Sequence, residues 1–166
     1  MTAQIYAIET GLPGALSIMP CPPAADLCAA FDVYVQHNVD VIVSMLDHDE
    51  ERMLGLRQEQ AFCQARGIQF ISFPIVDFGL PDIAALADLV DKCDDLLAQG
   101  KHIAVHCRAG IGRSGMVTSC LLAKRGMSAQ RALKTVSAAR GVSVPDTVEQ
   151  GEIVDDFARR LAVELP

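Results

Sequence analysis

The sequence predicts an α/β fold: a central four- or five-stranded, mostly parallel sheet flanked by helices on both sides. Three observations predict it. Short, β-branched apolar runs alternate with segments whose apolar residues recur at helical spacing. Val39-Asp40-Val41-Ile42-Val43-Ser44 reads as a strand buried on both faces, as strands of parallel sheets are. Finally, strand-like Lys101 to Val105 runs into a glycine-rich stretch, and that stretch runs into the apolar segment Met116 to Lys124, which reads as a buried helix.

The elements follow in order. Gln4 to Ile8 and Ala15 to Met19 read as short strands, with turn chemistry from Glu9 to Gly14 between them. Pro20-Cys21-Pro22-Pro23 breaks the chain as a stiff connection. Ala24 to His37 has helical spacing at Leu27, Phe31 and Tyr34-Val35. After the strand Val39 to Ser44, Met45 to Met53 is a charged connection holding Asp47, His48, Asp49, Glu50, Glu51 and Arg52. Two readings of it stand: a metal site, or a solvated loop or helix start, and the second is preferred. Leu54 to Arg66 reads as a helix ended by Gly67, and Ile68 to Phe73 as the next strand.

Phe73-Pro74-Ile75-Val76-Asp77-Phe78-Gly79-Leu80-Pro81-Asp82 follows as a loop at a strand's C-terminal edge, where ligand loops of open α/β sheets gather. Asp82 reads as the N-cap of a helix from Ile83 to Gln99, whose apolar stripe is Ile83, Leu86, Val90, Cys93 and Leu97. Ser128 begins a further helix that ends at Gly141. Asp146 or Thr147 caps the last, which carries Val148, Ile153, Val154, Phe157 and Leu161. No repeat, low-complexity run or linker divides the 166 residues, so a single domain over residues 1–166 is expected.

Composition narrows the function classes. The formal charge of −7 disfavours broad binding to nucleic acid or anionic membrane. No apolar run reaches the ~18–20 residues of a membrane span, and no signal peptide is evident. The six cysteines form no Cys-x-x-Cys pair, which disfavours a zinc site. Reduced thiols in a cytoplasmic, by default monomeric protein are expected. The sequence does not say which cysteine would bridge an oxidised Cys107.

The chemistry concentrates in His106-Cys107-Arg108-Ala109-Gly110-Ile111-Gly112-Arg113-Ser114-Gly115. A strand, a glycine-rich loop and a helix N-terminus make an anion site, because loop N–H groups and the helix dipole point at the same spot. An ordinary cysteine has a pKa near ~8.5, and such a setting lowers it to roughly 3.5–7.5, producing the nucleophilic thiolate. The planar fork of Arg113 holds two phosphoryl oxygens at once, which lysine does not. Ser114 places a hydroxyl near the sulfur, where it would stabilise a leaving thiolate.

This stretch resembles the His-Cys-x5-Arg-Ser/Thr signature of cysteine-dependent phosphatases. From Phe70 to about Phe157 the chain is most similar to the small dual-specificity phosphatases, among them the kinase-associated phosphatase and its bacterial relatives. The resemblance implies a tyrosine-phosphatase-like fold and a metal-independent, cofactor-free phosphomonoester hydrolase with a phosphocysteine intermediate. Its implied partners are phosphorylated proteins or peptides. By the match, Cys107 is the nucleophile, Arg113 and the loop Arg108, Ala109, Gly110, Ile111 and Gly112 bind phosphate, and Ser114 assists the departing sulfur. His106 is a buried scaffold. Asp77 matches the general acid of the family's Pro-Ile-x-Asp-x-Gly-x-Pro-Asp loop, with Asp82 the competitor, and the same match makes Asp77 the base when the phosphocysteine is hydrolysed. Phe78 either flanks the mouth or packs under the loop. The family often has Gln-Thr-x-x-Gln near the last helix, where a glutamine helps position water; here it is Asp146-Thr147-Val148-Glu149-Gln150, so Gln150 matches the second glutamine, a water-positioning candidate, and Asp146 replaces the first. The alternative for Gln150 is a polar helix surface. Three competing functions are an inositol phosphate or phosphoinositide phosphatase, a catalytically silent phosphoprotein-binding module, and a thiol redox or sulfur-transfer enzyme.

Overall fold

The structure is a computed structural model and describes residues 2–164. Its five strands are β1 (Tyr6–Ile8), β2 (Ala15–Met19), β3 (Val41–Ser44), β4 (Gln69–Ser72) and β5 (His102–His106). They lie in one sheet in the order β1-β2-β5-β3-β4. β1 pairs antiparallel to β2, and every other pairing is parallel, so the expected mostly parallel sheet is present with five strands. The first strand is shorter than expected, because only Tyr6 to Ile8 find ladder partners on β2.

The helices are α1 (Leu27–Gln36), α2 (His48–Met53), α3 (Glu59–Ala65), α4 (Ile83–Ala98), α5 (Arg113–Lys124), α6 (Ala129–Arg140) and α7 (Val148–Glu164). They cover both faces. Alternate side chains of the central strands point to opposite sides. Val41, Val43, Ile103 and Val105 pack into a large core with α4, α5, α6 and α7. Ile42 and Ala104 face a smaller core built on Phe31 and Tyr34 of α1 and Cys63 of α3. Helix α5 runs through the interior, with Arg113 to Ala123 all buried, which explains its lack of a polar face.

Several element ends fall short of expectation, and the stretch from Met45 to Arg66 departs from it most. The helix expected from Leu54 starts only at Glu59, because a positive φ at Gly55 turns the chain first. The connection Met45–Met53 is not solvated throughout. Asp47 and Glu50 cap α2 reciprocally, and Glu50 is buried. Capping was legible as Asp-x-x-Glu; burial was not. The cap expected at Asp82 is present, its side chain accepting from the Ala85 N–H at 2.9 Å.

Parallel register decides where the site forms. Met19 pairs with His106, His106 with Ser44, and Ser44 with Ser72. Four strands therefore end together at one edge of the sheet. The connections that leave this edge are Pro20–Pro23, Met45–Asp47, Phe73–Asp82 and Cys107–Gly112.

Candidate active site

Cys107 follows the last residue of the central strand, and the loop from Arg108 to Gly112 turns into the N-terminus of α5. Gly110 makes the turn possible. Its φ is +70°, and a Cβ there would lie 2.4 Å from the carbonyl carbon and oxygen of Met19. The loop is therefore packed against the end of β2, and any side chain at Gly110 would push it out. From the other side, Cys21 N–H donates to the Arg108 carbonyl at 3.1 Å.

Arg140, at the end of α6, holds the loop from outside. Its Nε donates to the Gly110 carbonyl at 3.0 Å and its Nη2 to the Ala109 carbonyl at 3.1 Å. Its guanidinium also sits 4.4 Å from the Tyr6 ring centroid. Engaging the carbonyls outward helps leave loop N–H groups for the inner face. Arg108 and Ala109 are exposed, while Gly110 and Gly112 are buried.

Cys107 is 3% exposed, and its Sγ lies 3.2 Å from Ser114 Oγ. Burial alone would raise the thiol pKa. The Ser114 hydroxyl, the N–H groups of Ser114 and Ile111, and the Arg113 charge outweigh it and hold the thiol below its ordinary range. The other buried thiols go the opposite way: burial pushes Cys63, Cys93 and Cys120 up to about 12. Iodoacetamide should accordingly alkylate Cys107 with a pH midpoint below the ~8.5 of a free cysteine. Ser114→Ala should move that midpoint upward. Mass spectrometry of the Cys107 peptide across pH reads both; an ordinary midpoint in the wild type would contradict the electrostatic account.

Arg113 is anchored by residues far away in sequence. Nη1 donates to Glu50 Oε2 at 2.6 Å and Nη2 to Glu50 Oε1 at 2.8 Å, a two-pronged ion pair. Nη1 also reaches the carbonyl of Ile75 at 2.7 Å. Nη2 reaches Asp77 Oδ1 at 3.0 Å. The guanidinium is 1% exposed and Glu50 8%, so the pair is desolvated and its geometry is tightly constrained. Sequence reasoning missed Glu50 as an anchor. Other charges of the run, for which a metal site was the less favoured reading, pair locally: Asp49 with Arg52, and Glu51 with His48.

His106 is fully buried, as expected of a scaffold. One ring nitrogen lies 2.9 Å from the Cys107 carbonyl and the other 2.8 Å from Glu59 Oε1. Burial opposes protonation, but the Glu59 carboxylate and the Cys107 carbonyl outweigh it and raise the imidazole pKa. Glu59, at the start of α3, was read from the sequence only as part of a helix. His102, which had no expected role, lies 2.8 Å from Ser17 Oγ and 2.9 Å from the His37 carbonyl, bracing the far end of β5.

The loop bearing Asp77 closes over this cradle. Phe78 has φ +58° and its side chain is 62% exposed, so it stands at the mouth and does not pack beneath the loop. Gln150 is fully buried, which removes the surface reading. Its Nε2 donates to the Gly79 carbonyl at 3.4 Å, tying α7 to the loop that bears Asp77. Asp82 is taken up as the cap of α4. A sulfur of lowered pKa, an anchored guanidinium, a carboxyl and loop N–H groups thus gather around the loop that follows β5.

Fold and cradle together define the cysteine-phosphatase class of architecture. A family model described as polymorphic toxin system, DSP-PTPase phosphatase matches residues 22–127, and the chain belongs to that family. Among curated proteins, cyclin-dependent kinase inhibitor 3 of Sus scrofa is 32% identical over 94 residues, covering 55% of this chain and 44% of that protein. Protein tyrosine phosphatase domain-containing protein 1 of Mus musculus is 32% identical over 154 residues, covering 84% of this chain and 20% of that protein. The chain thus spans less than half the length of either. Among solved structures, kinase associated phosphatase with its catalytic-site cysteine substituted by serine superposes with a TM-score of 0.88 at 21% identity, covering 99% of both chains. That likeness shows the shared fold. No described helix is long and apolar enough to cross a membrane.

Proposed function

We propose that this chain is a metal-independent phosphomonoester hydrolase that dephosphorylates proteins, at tyrosine and also at serine or threonine, as a single domain in the reducing cytoplasm. The observation that carries the reading is the convergence of Cys107 and Arg113 from one loop and Asp77 from another on one cradle of loop N–H groups. The exposed ring of Phe78 at the mouth supports an aromatic phosphoester as substrate.

The reaction follows from the geometry. The Cys107 thiolate attacks phosphorus, and the developing charge on the equatorial oxygens falls on Arg113 and the loop N–H groups. These supply the positive field that a metal supplies elsewhere. Asp77 Oδ1 shares Nη2 of Arg113 with Glu50. A phosphoryl oxygen arriving at Nη2 displaces Asp77, whose carboxyl, protonated, then gives its proton to the leaving oxygen. Water hydrolyses the phosphocysteine: its oxygen bonds to phosphorus, the S–P bond breaks, and sulfur keeps the electron pair. The Ser114 hydroxyl stabilises the returning thiolate.

The direct test is hydrolysis of an aryl phosphate with a chelator present. Turnover should persist undiminished; loss on chelation and recovery on adding a divalent cation would contradict the mechanism. A second expectation concerns the acid. Asp77→Asn should lower turnover of an aryl phosphate by roughly 10²-fold. It should lower that of an alkyl phosphate further, because an alkoxide leaves less readily than a phenoxide. Equal losses across a leaving-group series would remove Asp77 from the acid role.

A further inference from the structure

The Asp146 carboxylate lies against the phosphate loop. A Cβ built on Gly112 would fall 2.2 Å from Asp146 Oδ2 and 3.0 Å from Gln150 Oε1. Only glycine at position 112 lets these oxygens approach the loop backbone so closely. Asp146 also lies within electrostatic reach of both Asp77 and Arg113, the acid and the cation of the cradle. Its side chain is exposed to solvent, so water reaches it.

The neighbouring amide is already committed. Gln150 Oε1 accepts from the Asp146 N–H at 3.2 Å and the Thr147 N–H at 3.3 Å. An amide oxygen has two lone pairs, so both are used. Gln150 Nε2 is turned toward the Gly79 carbonyl. An amide spent in this way holds the turn and the acid loop and has no acceptor left for a hydrolytic water. A carboxylate offers about four acceptor positions, and Asp146 places them beside Gly112.

We propose that Asp146 is the general base of the second half-reaction, an inference that rests on the phosphocysteine reading above. It accepts a hydrogen bond from the attacking water and takes that water's proton as the oxygen bonds to phosphorus. The S–P bonding pair returns to Cys107, and inorganic phosphate leaves. Asp77, having given its proton in the first half-reaction, need not serve as the base. The proton on Asp146 then passes to solvent, and Asp77 is reprotonated from solvent for the next cycle. Partial burial and the Asp77 charge raise the proton affinity of Asp146 against the opposing pull of Arg113, which suits a base.

Rapid-quench kinetics with 4-nitrophenyl phosphate tests this division of labour in wild type, Asp146→Asn, Asp146→Ala and Asp146→Glu. Asp146→Asn and Asp146→Ala should release close to one equivalent of nitrophenol in a burst. Steady turnover should then fall by roughly 10²-fold, with phosphorylated Cys107 recovered from the quenched protein. Asp146→Glu should regain part of the steady rate. Wild-type steady rates without a burst in Asp146→Asn would overturn the proposal. So would a variant that loses the burst and the steady rate together, since that places Asp146 in the first step or in the scaffold. A wild type that releases no nitrophenol, or a Cys107→Ser protein that does, would instead overturn the phosphocysteine reading.

Discussion

Cys107→Ser should lower aryl phosphate turnover by at least ~10⁴-fold while leaving the fold and phosphopeptide binding in place. The cradle lowers a thiol pKa by hydrogen bonds from Ser114 and Ile111 and by the Arg113 charge. The same field cannot bring a serine hydroxyl, which starts several pKa units higher, to its anion near neutral pH. Serine oxygen is also smaller than sulfur and would sit farther from phosphorus. Binding survives because the N–H groups and Arg113 are unchanged. The measurement is turnover beside phosphopeptide affinity. Activity surviving in the serine protein would place the nucleophile elsewhere; loss of both binding and fold would show Cys107 to be structural.

Arg113→Lys should cost roughly 10²–10³-fold in kcat/KM. Lysine keeps the positive charge but gathers its three N–H donors on a single nitrogen in place of a planar fork. It cannot hold both Glu50 oxygens and still present donors to two phosphoryl oxygens. In the proposed mechanism the wild-type guanidinium does this, held rigidly from behind by Glu50 at 2.6 and 2.8 Å while the Ile75 carbonyl takes a further N–H. Glu50→Gln should therefore produce a smaller loss of the same kind, about tenfold, since the amide puts an NH2 donor, facing an arginine N–H, where Glu50 has its second accepting oxygen. Kinetics on one aryl phosphate, with urea unfolding midpoints as a control for stability, would check both variants. A lysine protein with wild-type kcat/KM would show that charge alone suffices.

The helices and strands were legible where one local rule governs them. Asp82, Ser128 and Gly141 lie where the chain must start or stop a helix, and they do so in the structure. The alternating faces of Val41 to Ser44 and of His102 to His106 followed from β-branched, apolar residues in a row. The reading failed between Met45 and Arg66. There a charged run resembles a solvated surface until tertiary contact shows that Glu50 and Glu59 point inward to Arg113 and His106. Buried carboxylates are rare unless paired, and nothing in their own neighbourhood names a partner many residues away.

By itself, the sequence determined the strand–turn–helix unit that carries Cys107. Residues 106–115 carry sulfur, arginine, hydroxyl and glycines within one strand–turn–helix, and the backbone geometry of that unit is local. Only the tertiary structure decided what surrounds it. The parallel register of β2, β5, β3 and β4 ends four strands at one edge. That edge brings in Glu50, Ile75, Asp77 and Glu59, while α6, the turn after it and α7 bring Arg140, Asp146 and Gln150 to the same loop. Residue spacing specifies which side chains can meet across one turn of helix or one pair on a strand. Which side chains meet across the sheet depends on the order and register of strands, and that is set by packing of the whole core.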